Sequence, residues 1–402
     1  MKLWIDTSSL PRAYALFGLA PLERLRRSAA KASEGAQVVL SGPGARSSSW
    51  PGAEIDADAA PLGARLRKAL AHGGGLVAID AANVIDPRLI AFLLKSARPA
   101  LASRGEGGQR AVALRLDPAQ AEAIPADAAD LAAVADALVA AGRIAPVDEA
   151  AFPAYVDKLR RSLPYWLHSV TDAATRKRLE RQMFWENYKG STDLLTRWVY
   201  PPIVWPLVLM CTRLRIHPNV ITGVSIAFTI AAVPPFAEGH WLLGFFCAYA
   251  MSVLDSVDGK VARLTLTDSK IGNLLDHGID QVHPPFWYFA WAWGLGARTP
   301  ADPLYQAAIL LILFYLADRI VLAAAKRRLG FALHAATRLD GQVRSYIARR
   351  NITMTIMAFA LLLGQGAAGF WIVTAWQGLT FAWHAARTIW LGFISRSARP
   401  EA

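Results

Sequence analysis

Hydrophobic and polar positions follow two different rhythms along the chain. Up to about residue 190, apolar runs are short and bounded by Gly, Pro or Asp. "AQVVLSGP" and "GGLVAIDAANVID" read as buried strands, and "PLERLRRSAAKAS" and "DPRLIAFLLKSA" as helices. Strands alternating with helices predict a soluble α/β layered domain with a partly parallel sheet over residues 1–145. Residues 146–215 read as a polar helical connector ending in "LLTRWVYPPIVWPLVLMCTRLRI". That last stretch is apolar, carries Trp, Tyr and three prolines, and has Arg at both ends. It reads as a helix lying in the membrane interface, with a transmembrane span as the alternative. Beyond it the apolar runs become long enough to cross a bilayer, which takes about 20 residues. Six spans are predicted, at 219–238, 241–263, 272–296, 303–326, 351–370 and 371–394, giving an α-helical membrane domain over 216–396.

Composition sharpens this picture. Of 402 residues, 54% are hydrophobic and only 18% charged, with 14 Trp, as expected for a chain that is half membrane-embedded. The net charge of +12 is concentrated beside the apolar runs. That placement suits anionic lipid headgroups and membrane lipid as partners better than nucleic acid. The loops "AEGH" and "GQGAAG" carry no Lys or Arg, whereas "TRLRIHPN", "GKVARLTLTDSK", "AAKRRLG" and "SRSARP" are all basic. The positive-inside rule then places both termini and the first domain in the cytoplasm of an inner or cell membrane. The N-terminus has no apolar signal core, since Asp6 and Pro11 interrupt it. Cys211 and Cys247 lie in apolar surroundings and read as packing residues.

The candidate chemistry sits where the second and third spans meet. In "DSVDGKVARLTLTDSKIGNLLDHGID", Asp255, Asp258, Gly259, Ala262 and Arg263 share one helix face, and Gly272, Asp276 and Asp280 share another. Burying a carboxylate in hydrocarbon costs roughly 2.5–3.5 kcal/mol on insertion scales, so four such acids call for a purpose. Carboxylates that crowd together need a counter-charge. Lys260 and Arg263 supply part of it, and a pair of hard divalent cations would supply more. Two cations bridged by carboxylates favour in-line displacement at phosphorus. The residues themselves thus suggest phosphoryl transfer from a pyrophosphate at the membrane surface. The plainer reading, a salt-bridge cluster that only ties helices together, does not explain four acids with two glycines among them.

The pattern D-x-x-D-G-x-x-A-R-x8-G-x3-D-x3-D resembles the signature of the CDP-alcohol phosphotransferase (CDP-alcohol phosphatidyltransferase) family, with all eight fixed positions present and their spacing intact. The resemblance covers about residues 185–395. It implies six transmembrane helices and transfer of a substituted phosphate from a CDP-linked donor to an alcohol with release of CMP. It implies two Mg2+ or Mn2+ ions held by Asp255, Asp258, Asp276 and Asp280, with Asp280 also the catalytic base for the acceptor hydroxyl. Gly259, Arg263 and Ser269 resemble nucleotide contacts, and "HPNVIT" resembles a further nucleotide box that adds Pro218, Asn219 and Thr222. A homodimer is also implied by the resemblance alone.

Arg338, Arg344, Arg349 and Arg350 form a second basic cluster before the fifth span. It reads either as a lipid-headgroup patch or as an anion pocket for a phosphorylated acceptor, such as an inositol or glycerol phosphate. Asp318 and Arg319 read as a structural pair inside the fourth span, and His283 as a packing residue. Residues 15–42 and 74–94 faintly resemble a nucleotidyltransferase, with Asp80 at its metal position. The glycine-rich loop that would grip a triphosphate is missing at "IDTSSLPRAYALFG", which predicts a degenerate domain. Two alternatives stay open: a bifunctional cytidylyltransferase–phosphotransferase that makes an inositol phosphodiester, and a non-catalytic membrane scaffold or transporter.

Overall fold

A computed structural model describes the chain except Glu34, Gly73, Gly107, Gly108, Ser191 and residues 395–402; a few further side chains, Asp276 among them, also lie outside the described residues. The chain divides into two compact units: Met1–Val156 with Ser162–Glu186, and Asp157–Arg161 with Asn187–Ala402. The stretch read as a connector is thereby shared between them.

The first unit is built on a sheet. Lys2–Asp6 (β1) lies at its middle, paired in parallel with Gln37–Ser41 (β2) and Leu76–Asp80 (β4). Glu54–Asp56 (β3) extends the β2 side in parallel, while Gln109–Leu116 (β7) joins β4 antiparallel and carries Ala100–Glu106 (β6) beyond it. β1 reads "KLWID" with Leu3, Trp4 and Ile5 all buried, the continuous apolar run of a strand covered on both faces. Pro21–Ala32 (α1), Leu62–Ala71 (α2), Pro87–Lys95 (α3) and Leu131–Ala140 (α4) provide that cover. Two of them start on sequence-encoded caps: Asp86 accepts from Arg88 N–H ahead of Pro87, and Asp130 accepts from Ala133 N–H. The expected strands and helices are thus present, but "GGLVAIDAANVID" makes two strands, β4 and Asn83–Ile85 (β5), and the central β1 lies where no strand is predicted.

In open parallel sheets ligands bind beyond the strand C-termini where the strand order switches, here between β1 and β4. That edge is occupied by the protein itself. The Arg65 guanidinium is buried there, donating to Asp6 Oδ1 at 2.9 Å, Ser41 Oγ at 2.9 Å and Ser8 Oγ at 3.0 Å. Beside it, Asp80 accepts from Ser9 Oγ and from Ala82 N–H. Burial, with Asp6 and Asp130 nearby, pushes the Asp80 carboxyl up to about 6 against these hydrogen bonds. A carboxyl raised in the folded state adds stability only while protonated, so its contribution is complete below the ordinary value near 4 and lost as pH rises through about 6. Asp80→Asn should therefore match the wild type near pH 4 and be more stable by about 2–3 kcal/mol at pH 7. Hydrogen exchange of the β1 and β4 amides in the full chain, compared at each pH, measures that difference.

Ala173–Glu186 (α5) is the last helix of the first unit. The second unit is helical. After a short π-turn at Leu195–Val199, Pro201–Arg213 (α6) buries Val204, Val208 and Cys211 and exposes Ile203 and Met210. Pro218–Ala231 (α7) continues into Val233–Ala237 (α8), followed by Trp241–Leu264 (α9), Lys270–Gly294 (α10) and Pro303–Leu329 (α11). Among the described residues, three stretches are long and apolar enough to cross a membrane: Pro218–Ala237, Trp241–Leu264 and Pro303–Leu329. The expected fifth and sixth spans divide differently. Arg350–Leu362 (α13) is only 13 residues, about 20 Å of helix and short of a bilayer core. The break falls at Gly364, whose φ of +71 suits glycine, and Gly366–Ile394 (α14) runs for 29 residues. Between α11 and α13 lies the short Arg338–Val343 (α12). The core of this unit gathers Phe236, Trp287, Trp291, Met354, Met357 and Phe370. Gly294 lets α10 approach α8 closely, since a β-carbon there would stand 2.0 Å from the Phe236 carbonyl oxygen.

Candidate active site

The motif is presented by the end of α9 and the start of α10. Leu266, with φ +57, turns the chain out of α9, and Ser269 caps α10 by accepting from Gly272 N–H at 3.0 Å. This short polar turn brings the two acidic faces together. Asp258 is buried, accepting from Thr222 Oγ1 at 2.6 Å and from Gly259 N–H at 2.5 Å. Thr222 and Asn219 thus serve the motif from α7: a β-carbon on Gly272 would lie 2.9 Å from Asn219 Oδ1. Pro218 opens that helix, and His217 caps it by accepting from Asn219 N–H.

Asp255 and Asp280 converge from α9 and α10 on a single cation, Arg350 at the start of α13. Its Nη2 donates to Asp255 Oδ2 at 2.7 Å, and its Nη1 to Asp280 Oδ1. A cavity of about 320 Å3 opens beside them, lined by Asp255, Gly259, Arg263, Asp280, Arg344, Arg349 and Arg350 among the expected residues. Asp258, Ser269, Pro218, Asn219 and Thr222 support the wall rather than line it. Of the four arginines expected at the acceptor side, Arg344, Arg349 and Arg350 line the cavity, Arg350 in contact with the carboxylates, and Arg338 is exposed and lies off it. The Asp276 side chain lies outside the described residues. Among those residues no cluster of three or more His, Cys, Asp or Glu closes into a metal centre.

The segment ahead of α6 contributes what the sequence reading passed over. Asn187 Oδ1 accepts from Arg263 Nε at 3.0 Å, and the Lys260 ammonium lies 3.7 Å from the centre of the Tyr188 ring. Asp193 accepts from Asn351 Nδ2 at 3.0 Å and pairs with Arg349 at 3.7 Å. Against the upward push of burial, Arg349 and the Thr196 and Asn351 donors hold the Asp193 carboxyl below its ordinary range. Tyr200, Ser252 and Asn351 extend this network to Arg350. The polar run "ENYKGSTD", set directly before an apolar helix, was the available signal. His283 and Asp318 behave as packing residues: His283 stacks edge-on against Trp287, and Asp318 pairs with Arg319 and His384 between α11 and α14.

Comparison with known proteins agrees with the motif. Residues 215–390 match the sequence model of the CDP-alcohol phosphatidyltransferase family. Bovine (Bos taurus) cholinephosphotransferase 1 is 29% identical over 175 residues, 39% of this chain and 41% of that protein. Phosphatidylinositol phosphate synthase of Corynebacterium glutamicum is 29% identical over 112 residues, 28% of this chain and 51% of that protein. The chain thus spans about half the length, or less, of the curated relatives it matches. A Mycobacterium tuberculosis phosphatidylinositol phosphate synthase structure with CDP-DAG bound aligns at 18% identity and TM-score 0.39, covering 49% of this chain and 100% of that one. By motif and by family match, residues 215–390 of this chain are a CDP-alcohol phosphatidyltransferase domain.

Proposed function

We propose that the protein transfers a substituted phosphate from a CDP-linked donor to an alcohol and releases CMP, within an integral membrane unit whose six helical segments cross or enter the bilayer with both termini cytoplasmic. The observation that carries this reading is the convergence of Asp255 and Asp280 on one positive charge at the rim of a polar cavity. The donor set fits a hard divalent cation: it offers carboxylate oxygens only, and their present counter-ion is a guanidinium. Asp255, Asp258, Asp276 and Asp280 would hold two Mg2+ or Mn2+ ions, which when bound supply Lewis-acid polarisation of the phosphates.

The chain's own residues do the rest. Gly259, at the cavity wall beneath Arg263, leaves room for the nucleotide to approach the α9 backbone. Arg263, fixed by Asn187, neutralises the diphosphate. Asp280 takes the acceptor hydroxyl proton as that oxygen attacks the β-phosphorus. The bridging P–O bond breaks, and its electron pair leaves with CMP. Pro218, Asn219, Thr222 and Ser269 hold the motif in place for the nucleotide.

We further propose that the first unit does not transfer nucleotides, because Arg65 fills the sheet edge where a triphosphate would sit. Donor binding tests the main reading without turnover. CDP-diacylglycerol should raise the unfolding temperature of the detergent-solubilised chain in Mg2+ but not in EDTA, and Asp258→Asn should remove the shift. Absence of stabilisation by CDP-diacylglycerol and by CDP-linked soluble alcohols alike, with Mg2+ present, would contradict the proposal.

A further inference from the structure

One wall of the cavity is built by chain that precedes the family domain. The segment Asp157–Arg161 belongs to the second unit, and Arg160 lines the cavity together with Lys189, Arg344 and Arg349. Arg160 holds φ +53, a left-handed backbone that a β-carbon disfavours. Its neighbours impose that conformation. Gly190 N–H donates to the Leu159 carbonyl at 2.9 Å, and a β-carbon on Gly190 would stand 2.8 Å from the Arg160 carbonyl oxygen. Lys158 ties the same segment to Asp268, next to the cap of α10. Strain of this kind is kept where it places a working side chain.

The charge of the wall is also out of balance. Among the described residues the cavity is lined by eight Lys and Arg against three Asp. Asp255 and Asp280 are engaged by Arg350, and Asp193 by Arg349. Arg344 is half-buried against His334 Nδ1, and desolvation together with Arg349 and Arg160 pushes its guanidinium well below the ordinary value. Burial, then Arg263 and Arg160, pushes the Lys189 ammonium down to about 8. Cations that depress one another in a concave wall hold repulsion that a bound anion relieves.

We propose that Arg160 and Lys189 join Arg344 and Arg349 in a subsite for the phosphomonoester of the acceptor, so that the second substrate is a phosphorylated polyol rather than a neutral glyceride. This rests on the phosphotransferase reading above and adds residues from outside the family domain to it. Arginine forks match phosphate oxygens in pairs, and a dianion offsets two of the surplus charges. The acceptor's free hydroxyl would then point to Asp280 on the same cavity wall.

Two variants test the subsite. Arg160→Gly removes the guanidinium at a position whose backbone suits glycine, so the protein should unfold no earlier than the wild type. Lys189→Gln is the second. Inorganic phosphate and inositol 1-phosphate should each raise the unfolding temperature of the wild-type chain and raise it less in both variants. In CMP-release assays the acceptor KM for inositol 1-phosphate should rise about 10- to 100-fold, as expected for losing a charged hydrogen bond, with donor KM changing far less. Equal stabilisation of variants and wild type by phosphate would overturn the subsite. So would a rise in donor KM alone, which would assign these cations to the donor's diphosphate. A phosphate shift that depends on Arg160 in a chain releasing no CMP would leave the subsite standing and sink the phosphotransferase reading instead.

Discussion

Asp280→Asn should lower the rate of CMP release by about two to four orders of magnitude, the range expected when a positioned general base is lost. The substitution keeps shape and polarity, and Asp255 still engages Arg350, so the fold should persist. Two roles are separable in the same assay. If Asp280 served only as a metal ligand, saturating Mn2+ would restore turnover. As the base it would not, because an amide cannot take the proton, and His283 is turned to the Ile279 carbonyl and packed on Trp287. The measurement is kcat across a Mn2+ titration for wild type and variant. Recovery to near wild-type kcat at high Mn2+ would remove Asp280 from the base role.

Arg350→Gln is expected to give the largest loss of stability among substitutions at the site. Its guanidinium is the shared counter-ion of Asp255 and Asp280 and also contacts Ser252. Without it two carboxylates face one another. Breaking a fully buried pair costs about 3–5 kcal/mol; with Asp280 partly exposed, the loss here should be about 1–3 kcal/mol. A divalent cation can take over the neutralisation, so Mg2+ should stabilise Arg350→Gln more than it stabilises the wild type, where it competes with the guanidinium. Unfolding temperatures with and without Mg2+ check this. An equal Mg2+ effect on both proteins would show that the two carboxylates are not a cation site.

Much of this site was legible in the sequence because its rule is local. A fixed spacing on two consecutive helices puts Asp255, Asp258 and Asp280 where they are found, and Ser269 and Thr222 take up supporting hydrogen bonds around them. The α/β character of the first unit was legible for the same reason, as caps and short apolar runs are read over a few residues. What escaped is non-local. The polar run "ENYKGSTD" marks a segment of interest, but not that Asn187 meets Arg263 across 76 positions, nor that Arg350 reaches 95 residues back to Asp255. Strand β1 was missed because "LWI" is too short to stand out from its flanks and becomes a centre strand only through β2 and β4. The last two spans were misdivided because apolar residues run on through Gly364, and only its left-handed backbone marks the break.

The most direct test of the phosphotransferase reading is CMP release by the full-length chain in detergent. CDP-diacylglycerol and a CDP-linked soluble alcohol would serve in turn as donor, with phosphorylated and unphosphorylated alcohols as acceptors, in Mg2+ and in EDTA. The expected result is acceptor-dependent CMP release in Mg2+ that stops in EDTA. Release that persists in EDTA, or that ignores the acceptor, would contradict it.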